Sequence, residues 1–324
     1  MVNVPRMALR AHGVIDMSGP AWPFGTLPPD GVERLGPHVL AYYANGVPLA
    51  NSAIVVGSEA ALVFDANIFH HALDLKGLLD ERWPRGPVHL VLSHSHTDHV
   101  DGSMYFTGAE SWATDWARRR LAWWNGQDMS ERWIEQSEGY PEAKQWYDEA
   151  FRLVVPEHGI EGPTTIELGG GVCVHLQPEV IAHTPGDLWA RVEPDDVVLC
   201  GDLWFNDCEP WLGLGALDGS LEVLARLRAG GAVAYLPGHG RAGRIEAGDK
   251  MERYAVWIRE HLADAMDRGL SGPALAARLR EEFDRQLPVQ MAVAIPGFLE
   301  DAVAGAEEAA CGRPRWVGLL LADT

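Results

Sequence analysis

Apolar and polar positions alternate between short apolar runs and longer amphipathic stretches. Residues 52–65 hold two short apolar runs separated by Gly57-Ser58-Glu59, which predicts a hairpin whose second strand ends at Asp65. A helical pattern over 70–83 is broken by Pro84-Arg85-Gly86-Pro87, and Val88–Leu92 then reads as a buried strand. That strand delivers the chain to Ser93-His94-Ser95-His96-Thr97-Asp98-His99. Further strands are predicted at 172–176, 180–182, 188–192, 197–200 and 232–236, with a helix over 219–229 before the last. Strands joined by a few long helical crossovers predict an α/β fold, a mixed sheet flanked by helices.

Between the two strand groups, residues 110–151 carry Trp112, Trp116, Trp123, Trp124, Trp133 and Trp146, six of the 13 tryptophans, on stretches that read as helical. Trp112 and Trp116 are one helical turn apart, and Pro141 suits the first turn of another helix. Two readings stay open: internal packing of a helical insertion, or a wall of an apolar pocket. Past residue 247 the pattern is helical: 247–268 ended by Gly269, a second helix from Ser271-Gly272-Pro273 to about Arg285, and a third over 298–310. The expected organisation is a main domain over 1–265, with a helical insertion at about 110–160, and a helical C-terminal appendage over 266–324. Homo-oligomerisation and pocket closure are the appendage's candidate further roles.

Length and composition narrow the function classes. The 324 residues allow one large domain with an appendage or two small ones, and 47% hydrophobic with 22% charged residues is an ordinary globular balance. A formal net charge of −20 repels a phosphate backbone, so no nucleic-acid partner is expected. The N-terminus lacks an apolar run behind positive charge, and the apolar stretches near 88–92 and 317–322 fall short of a membrane span. Neither a secretory signal nor a membrane partner is expected, and the expected location is cytoplasmic. Cys173, Cys200, Cys208 and Cys311 have no CxxC spacing, which suits reduced thiols.

The chemistry concentrates in the histidines. His94 and His96 are two apart on an extended segment, so both imidazoles face one side, a metal-clamp geometry. Asp98 and His99 follow where the chain turns and address a neighbouring position, which predicts two adjacent ion sites. His183, Asp202 and His239 each sit at a predicted strand end beside Gly or Pro, where sharp turns hold a side chain on a rigid rim. Together they complete two ligand sets. Among the other histidines, His70 and His71 are the candidates for pocket residues.

His94, His96, Asp98 and His99 form an H-x-H-x-D-H motif, and with it the sequence from about residue 38 to 260 resembles the metallo-β-lactamase superfamily of hydrolases. The resemblance implies a four-layer αββα sandwich with metals at one edge of its two sheets. It implies a first metal on His94, His96 and His183, a second on Asp98, His99 and His239, and Asp202 bridging them. Two Zn²⁺ suit these ligands best, and Fe or Mn also fit. Two zinc ions, two carboxylates and a bridging hydroxide would leave a net charge of about +1 for an anionic transition state. The hydroxide would be the nucleophile, and Asp98 would orient it and take a proton as the tetrahedral intermediate collapses. Asp65 stands where the family commonly has an acid that orients a ligand histidine from behind. The usual Thr-Gly after that acid is replaced by Ala66-Asn67.

Particular residues narrow the subfamily. Asp202 stands where many β-lactamases of the superfamily have Cys or Ser, which disfavours antibiotic hydrolysis. The acidic charge argues against the nucleases, and His96 excludes the flavin-linked di-iron oxidoreductases, which have Glu there. What remains resembles hydroxyacylglutathione hydrolases, N-acyl homoserine lactone lactonases and polyketide thioesterases. No basic cluster matches glutathione carboxylates, while Trp116, Trp123, Trp204 and Trp211 suggest an apolar or aromatic acyl group. The expectation is a binuclear hydrolase of a small-molecule ester, thioester or lactone. The alternative from another class is a mononuclear iron-dependent dioxygenase on the same scaffold.

Overall fold

The computed structural model describes residues 31–44, 50–127, 151–206, 208–214, 216–286 and 298–315. The first sheet has seven strands in chain order: β1 (Val32–Arg34), β2 (Val39–Tyr43), β3 (Asn51–Val56), β4 (Ala61–Phe64), β5 (Val88–Val91), β6 (Glu110–Thr114) and β7 (His158–Ile160). Its first four strands pair antiparallel and β4 to β7 pair parallel. The second sheet runs β12-β11-β10-β9-β8, from β8 (Thr164–Gly169), β9 (Val172–Pro178), β10 (Leu188–Glu193), β11 (Val197–Phe205) and β12 (Ala234–His239). Its pairs are antiparallel except β11 with β12. The helices are α1 (Phe69–Arg82), α2 (Thr97–Val100), α3 (Asp115–Asn125), α4 (Leu217–Gly230), α5 (Asp249–Asp267), α6 (Gly272–Gln286) and α7 (Phe298–Ala310).

Strand alternation builds three apolar layers. On β2, Val39, Ala41 and Tyr43 point into the core between the sheets, where they meet Val174, Leu176, Leu188, Val192 and Leu199. Leu40 and Tyr42 point the other way, into a core closed by Leu75 and Leu79 of α1 and Ala117 and Leu121 of α3. The outer face of the second sheet, with Val198, Cys200 and Tyr235, is covered by α4 to α7 through Leu224, Tyr254, Ile258, Leu275, Leu279, Leu299 and Val303. Helix, sheet, sheet and helix therefore stack in the expected four layers. Helix α5 runs through the expected boundary at 265, and α6 and α7 share its core.

Local departures from the sequence reading have physical causes. Trp112 is not on a helix but on β6, where it stacks on His158 with ring centroids 4.0 Å apart. The parallel ladder to β5 overrides the four-residue spacing to Trp116. Val180–Ala182 is a turn closed by an Ile181–Pro185 bridge and not a strand, with Val180 86% exposed. Trp133, Trp146 and the helix expected at Pro141 lie outside the described residues, as does the 317–322 stretch. No helix among the described residues is long and apolar enough to cross a membrane.

Candidate metal centre

Adjacent ends of the two sheets bring the seven predicted ligands together. β5 ends at Val91, and the Leu92–His96 segment, which bends at Ser93–Ser95 where the sequence reading expected an extended run, leads into α2, which carries Asp98 and His99. On the second sheet, β11 carries Asp202 through an irregular stretch of its pairing with β12, a bulge-like shift that aims the side chain at the strand end. Gly201 makes this approach possible: its φ is +52°, and a Cβ there would lie 2.8 Å from the Ser93 side chain. A Cβ at Gly238 on β12 would collide with Asp202 Oδ1. Glycine at these two positions lets both strands close on the carboxylate.

The donor atoms fall into two groups. One ligand atom each from His94, His96, His183 and Asp202 lie within 4.8 Å of one another, as do those of Asp98, His99 and His239. Asp202 faces both groups: its Oδ2 is 3.1 Å from His183 Nε2 and 3.7 Å from His94 Nε2, and its Oδ1 is 3.0 Å from His99 Nε2 and 3.2 Å from His239 Nε2. Asp98 Oδ2 is 3.5 Å from His239 Nε2 and 3.9 Å from His99 Nε2.

The partners behind the ligands fix which nitrogen offers a lone pair. Asp65 accepts from Ser93 N and Ser93 Oγ, both at 2.7 Å, and from His99 Nδ1 at 2.8 Å. With its own proton spent on Asp65, Ser93 Oγ accepts from His94 Nδ1 at 2.9 Å. His183 Nδ1 donates to the Trp211 carbonyl at 3.1 Å. All three imidazoles are thereby held by Nδ1 with Nε2 turned inward, towards Asp202. The positive φ of Asp65 (62°) and Asn67 (58°) shape the turn in which Thr-Gly is replaced, and the Asn67 amide donates to Ala50 O and Ser52 Oγ.

This donor set fits a divalent metal. Nε2 of His94, Nε2 of His99 and Oδ1 of Asp202 are buried without a well-directed hydrogen bond among the described residues, although the last two lie only 3.0 Å apart, and polar atoms crowded in this way are costly unless a cation satisfies them. Imidazole nitrogen plus carboxylate oxygen is the ligand chemistry of zinc, iron and manganese. Electrostatics divide the cluster. Burial, reinforced by repulsion from His99, holds His94 well below the usual imidazole range. Burial pulls His99 down too, but Asp202, Asp65 and Asp98 together raise it well above that range. Burial opposes the charge of Asp202, yet His239, His99 and His183 keep its carboxyl well below the carboxylate range, whereas burial wins at Asp98 and pushes it up.

The aromatic residues separate. The Trp211 indole stands edge-on to His96 and His183, with centroids 5.2 and 5.5 Å away. Trp204 is 0% exposed in the core under the C-terminal helices and lines no part of the cluster's rim, because it points to the outer face of β11. Trp116 is buried at the start of α3, whose capping Thr114 also donates to Gly186 O in the His183 turn. Trp123, 38% exposed, packs edge-on to Trp124 beside Arg120. Cys208 is buried in the same core as Trp204. His71 is buried against the Tyr42 hydroxyl at 3.0 Å, while His70 is exposed on α1.

Several supports had no signal in the sequence. Asn51 on β3 donates from Nδ2 to Pro237 O (2.9 Å) and Gly240 O (2.6 Å), gripping the chain on both sides of His239 from the opposite sheet. Asn206 holds the same turn through its N–H to His239 O (3.0 Å) and its Nδ2 to Arg241 O (2.7 Å). Asp187 accepts from His183 N at 2.8 Å and from Thr184 N, fixing the turn that presents His183. Their sequence signal is only that of ordinary turn residues.

The metallo-beta-lactamase superfamily model matches residues 45–239. No curated protein sequence matches the chain. Among solved structures, a double mutant of the sec-alkyl sulfatase PisA1 aligns at 15% identity with TM-score 0.61, covering 87% of this chain and 50% of its own. The stereoselective inverting sec-alkylsulfatase Pisa1 from Pseudomonas sp. aligns at 17% identity with TM-score 0.57 over the same shares. A metallo-beta-lactamase from Pontibacter korlensis aligns at 15% with TM-score 0.51, covering 69% of this chain and 98% of its own. At such identities the likeness is one of fold, and the chain spans half the length of the sulfatase chains. The family match covers more than half of the sequence, and the chain belongs to the metallo-β-lactamase superfamily.

Proposed function

Starting from that membership, we propose that the protein is a binuclear metal-dependent hydrolase of a small-molecule ester, thioester or lactone with an apolar or aromatic acyl group. The observation that carries this reading is Asp202, whose two oxygens face different histidine groups. His94, His96, His183 and Asp202 Oδ2 would hold one divalent ion, and Asp98, His99, His239 and Asp202 Oδ1 the other. Zinc is the proposed metal, and bound there it would lower the pKa of water towards about 7 and polarise a carbonyl oxygen.

The chain's own residues supply orientation and proton handling. Asp65, Ser93 and the Trp211 carbonyl hold the imidazoles ready, so no rearrangement is needed at the moment of reaction. Asp98 is the more open of the two carboxylates, its side chain 19% exposed against 5% for Asp202. That opening suits it to take a proton from the attacking water and pass it to the leaving group. The Trp211 indole beside His96 supplies an apolar surface to the acyl group, with Trp116 and Trp123 as further wall candidates.

A substrate panel tests the reading: an arylacyl thioester, an acyl lactone, an acetyl ester and a secondary alkyl sulfate, the last being the substrate class named by two of the structural neighbours. Carbonyl substrates with aromatic acyl groups should be cleaved best, and His96→Ala should lose metal and hydrolysis together while its circular dichroism is kept. His96→Ala activity within about tenfold of the parent contradicts the assignment, since even partners behind a ligand cost 10- to 100-fold. One iron per chain with O₂ uptake and no hydrolysis supports the dioxygenase instead. Trp123→Ala should raise KM for the bulky thioester more than for the acetyl ester, because each Å² of lost burial is worth about 25 cal/mol. Equal losses across acyl sizes assign Trp123 to packing.

A further inference from the structure

We propose that the C-terminal helices are part of the catalytic apparatus, with Arg280 and Asp301 as positioning residues that act through Glu209 and Trp211 on His183 and so set the affinity of the first donor set for its ion. The inference rests on the reading of His183 as a metal ligand and extends it to residues far along the chain.

The segment after β11 carries Glu209 and, two residues later, Trp211. Glu209 is 0% exposed. A carboxylate that deep is costly unless it is paired and hydrogen-bonded. Tyr254 Oη of α5 donates to its Oε1 at 2.6 Å, and Arg280 Nη2 of α6 lies 3.6 Å from the same oxygen. Arg280 is in turn held by Glu300 of α7 through two parallel bonds, Nε to Oε1 and Nη2 to Oε2, each 3.0 Å. Three helices therefore meet at one buried acid of the rim segment.

Two more attachments lie beside it. Trp211 Nε1 donates to Asp301 Oδ2 of α7 at 3.2 Å, and Arg315, just past α7, donates to Gly213 O at 3.2 Å. All of them fix the stretch whose Trp211 carbonyl accepts from His183 Nδ1 and whose indole stands against His96 and His183. Leu275 and Leu279 of α6 and Leu299 and Val303 of α7 are buried in the core these helices share with the second sheet. The buried acid and the indole bond add what apolar docking does not, a single position for the Trp211 carbonyl. If that carbonyl shifts, His183 loses the acceptor that keeps its Nε2 turned inward, and loss of such a partner typically costs about 10- to 100-fold in metal affinity.

The test titrates the full-length, metal-free protein with Co²⁺ against a chelator, reading both binding steps and the visible spectrum of the ion. Arg280→Gln, which removes the cation beside Glu209, should weaken the first-set ion about 10- to 100-fold, leave the other step in place and alter the spectrum. Glu209→Gln combined with Arg280→Gln should restore affinity to within about threefold, because the uncharged pair keeps a partner for Tyr254 without an unmatched buried charge. Asp301 has a side chain 54% exposed, so its variants leave folding intact. Asp301→Ala should weaken the same step about three- to tenfold, and Asp301→Asn, which still accepts from the indole, should not. Parent-like binding by folded Arg280→Gln and by Asp301→Ala overturns the proposal; if Arg280→Gln does not fold, the Asp301 pair decides. A parent that binds two ions while the variants match it contradicts only the positioning role. A parent that binds no ion contradicts this proposal and the metal reading together.

Discussion

The two sheet edges that form the centre solve one problem in different ways. The first sheet contributes four of the candidate ligands from one short segment, Ser93 to His99, held by local geometry and the single acid Asp65 behind it. The second sheet's side contributes His183 from the turn between β9 and β10, Asp202 from within β11 and His239 from the end of β12, each with support from residues remote in sequence: Trp211 for His183, Gly238 beside Asp202, Asn51 and Asn206 for His239. One half takes its candidate ligands from the order of residues along the chain, with Asp65 as its one remote support. The other exists only once the tertiary structure has formed, so it is the half that distant substitutions can damage.

The largest expected effect comes from breaking the junction between the halves. Asp202→Asn keeps the side-chain size but removes the charge shared by both groups, so metal content should fall below two per chain and kcat should drop by more than about 100-fold, the upper range for partners lying behind a ligand. Titration showing two ions bound as tightly as in the parent would sink the bridging role.

A smaller effect sharpens the contrast. Asn51→Ala touches no ligand but leaves Pro237 O and Gly240 O, both buried beside His239, without their donor. The urea midpoint should fall by an amount equivalent to about 1–3 kcal/mol, and the ion held by His239 should weaken more than the one held by His94. Equal weakening of both ions would show that the two edges are not independently supported.

The smallest effect concerns an outlying tie. Glu33 of β1 pairs with Arg241, two residues past His239, at 2.8 Å and accepts from Tyr43 Oη at 2.7 Å. Burial raises its proton affinity, but these two partners outweigh it and hold the carboxyl below the ordinary value of 4.5. A depressed acid stabilises the fold above its unfolded value and loses that contribution as pH falls through the folded one. Glu33→Gln should therefore cost at most about 1 kcal/mol at pH 7, a difference that shrinks on acidification below about 4.5. A difference that grew on acidification would reverse the assignment of the tie.

What could be read from the sequence follows the same division. The H-x-H-x-D-H segment was legible because its candidate ligands are close together and follow an apolar strand, and His183, Asp202 and His239 were legible from flanking Gly and Pro, although His183 lies in the turn between β9 and β10 and Asp202 within β11. The supports were not, because Asn51 and Asn206 look like any turn residue until opposite sheets bring them to the His239 turn. Trp204 and Trp211, seven residues apart, looked equivalent as pocket walls, yet β11 sends Trp204 into the outer core while the following segment returns Trp211 to the ligands. Glu110–Thr114 was hidden for another reason: the spacing of Trp112 and Trp116 mimics a helix, and only pairing with β5 and β7 decides for a strand.

Metal stoichiometry tests the central claim most directly: elemental analysis of the protein purified without added metal, followed by titration of the metal-free chain. The account predicts two divalent ions per chain, with zinc as the main element, and Asp202→Asn uncoupling the two binding steps. A single ion per chain at saturation, unaffected by Asp202→Asn, would contradict it.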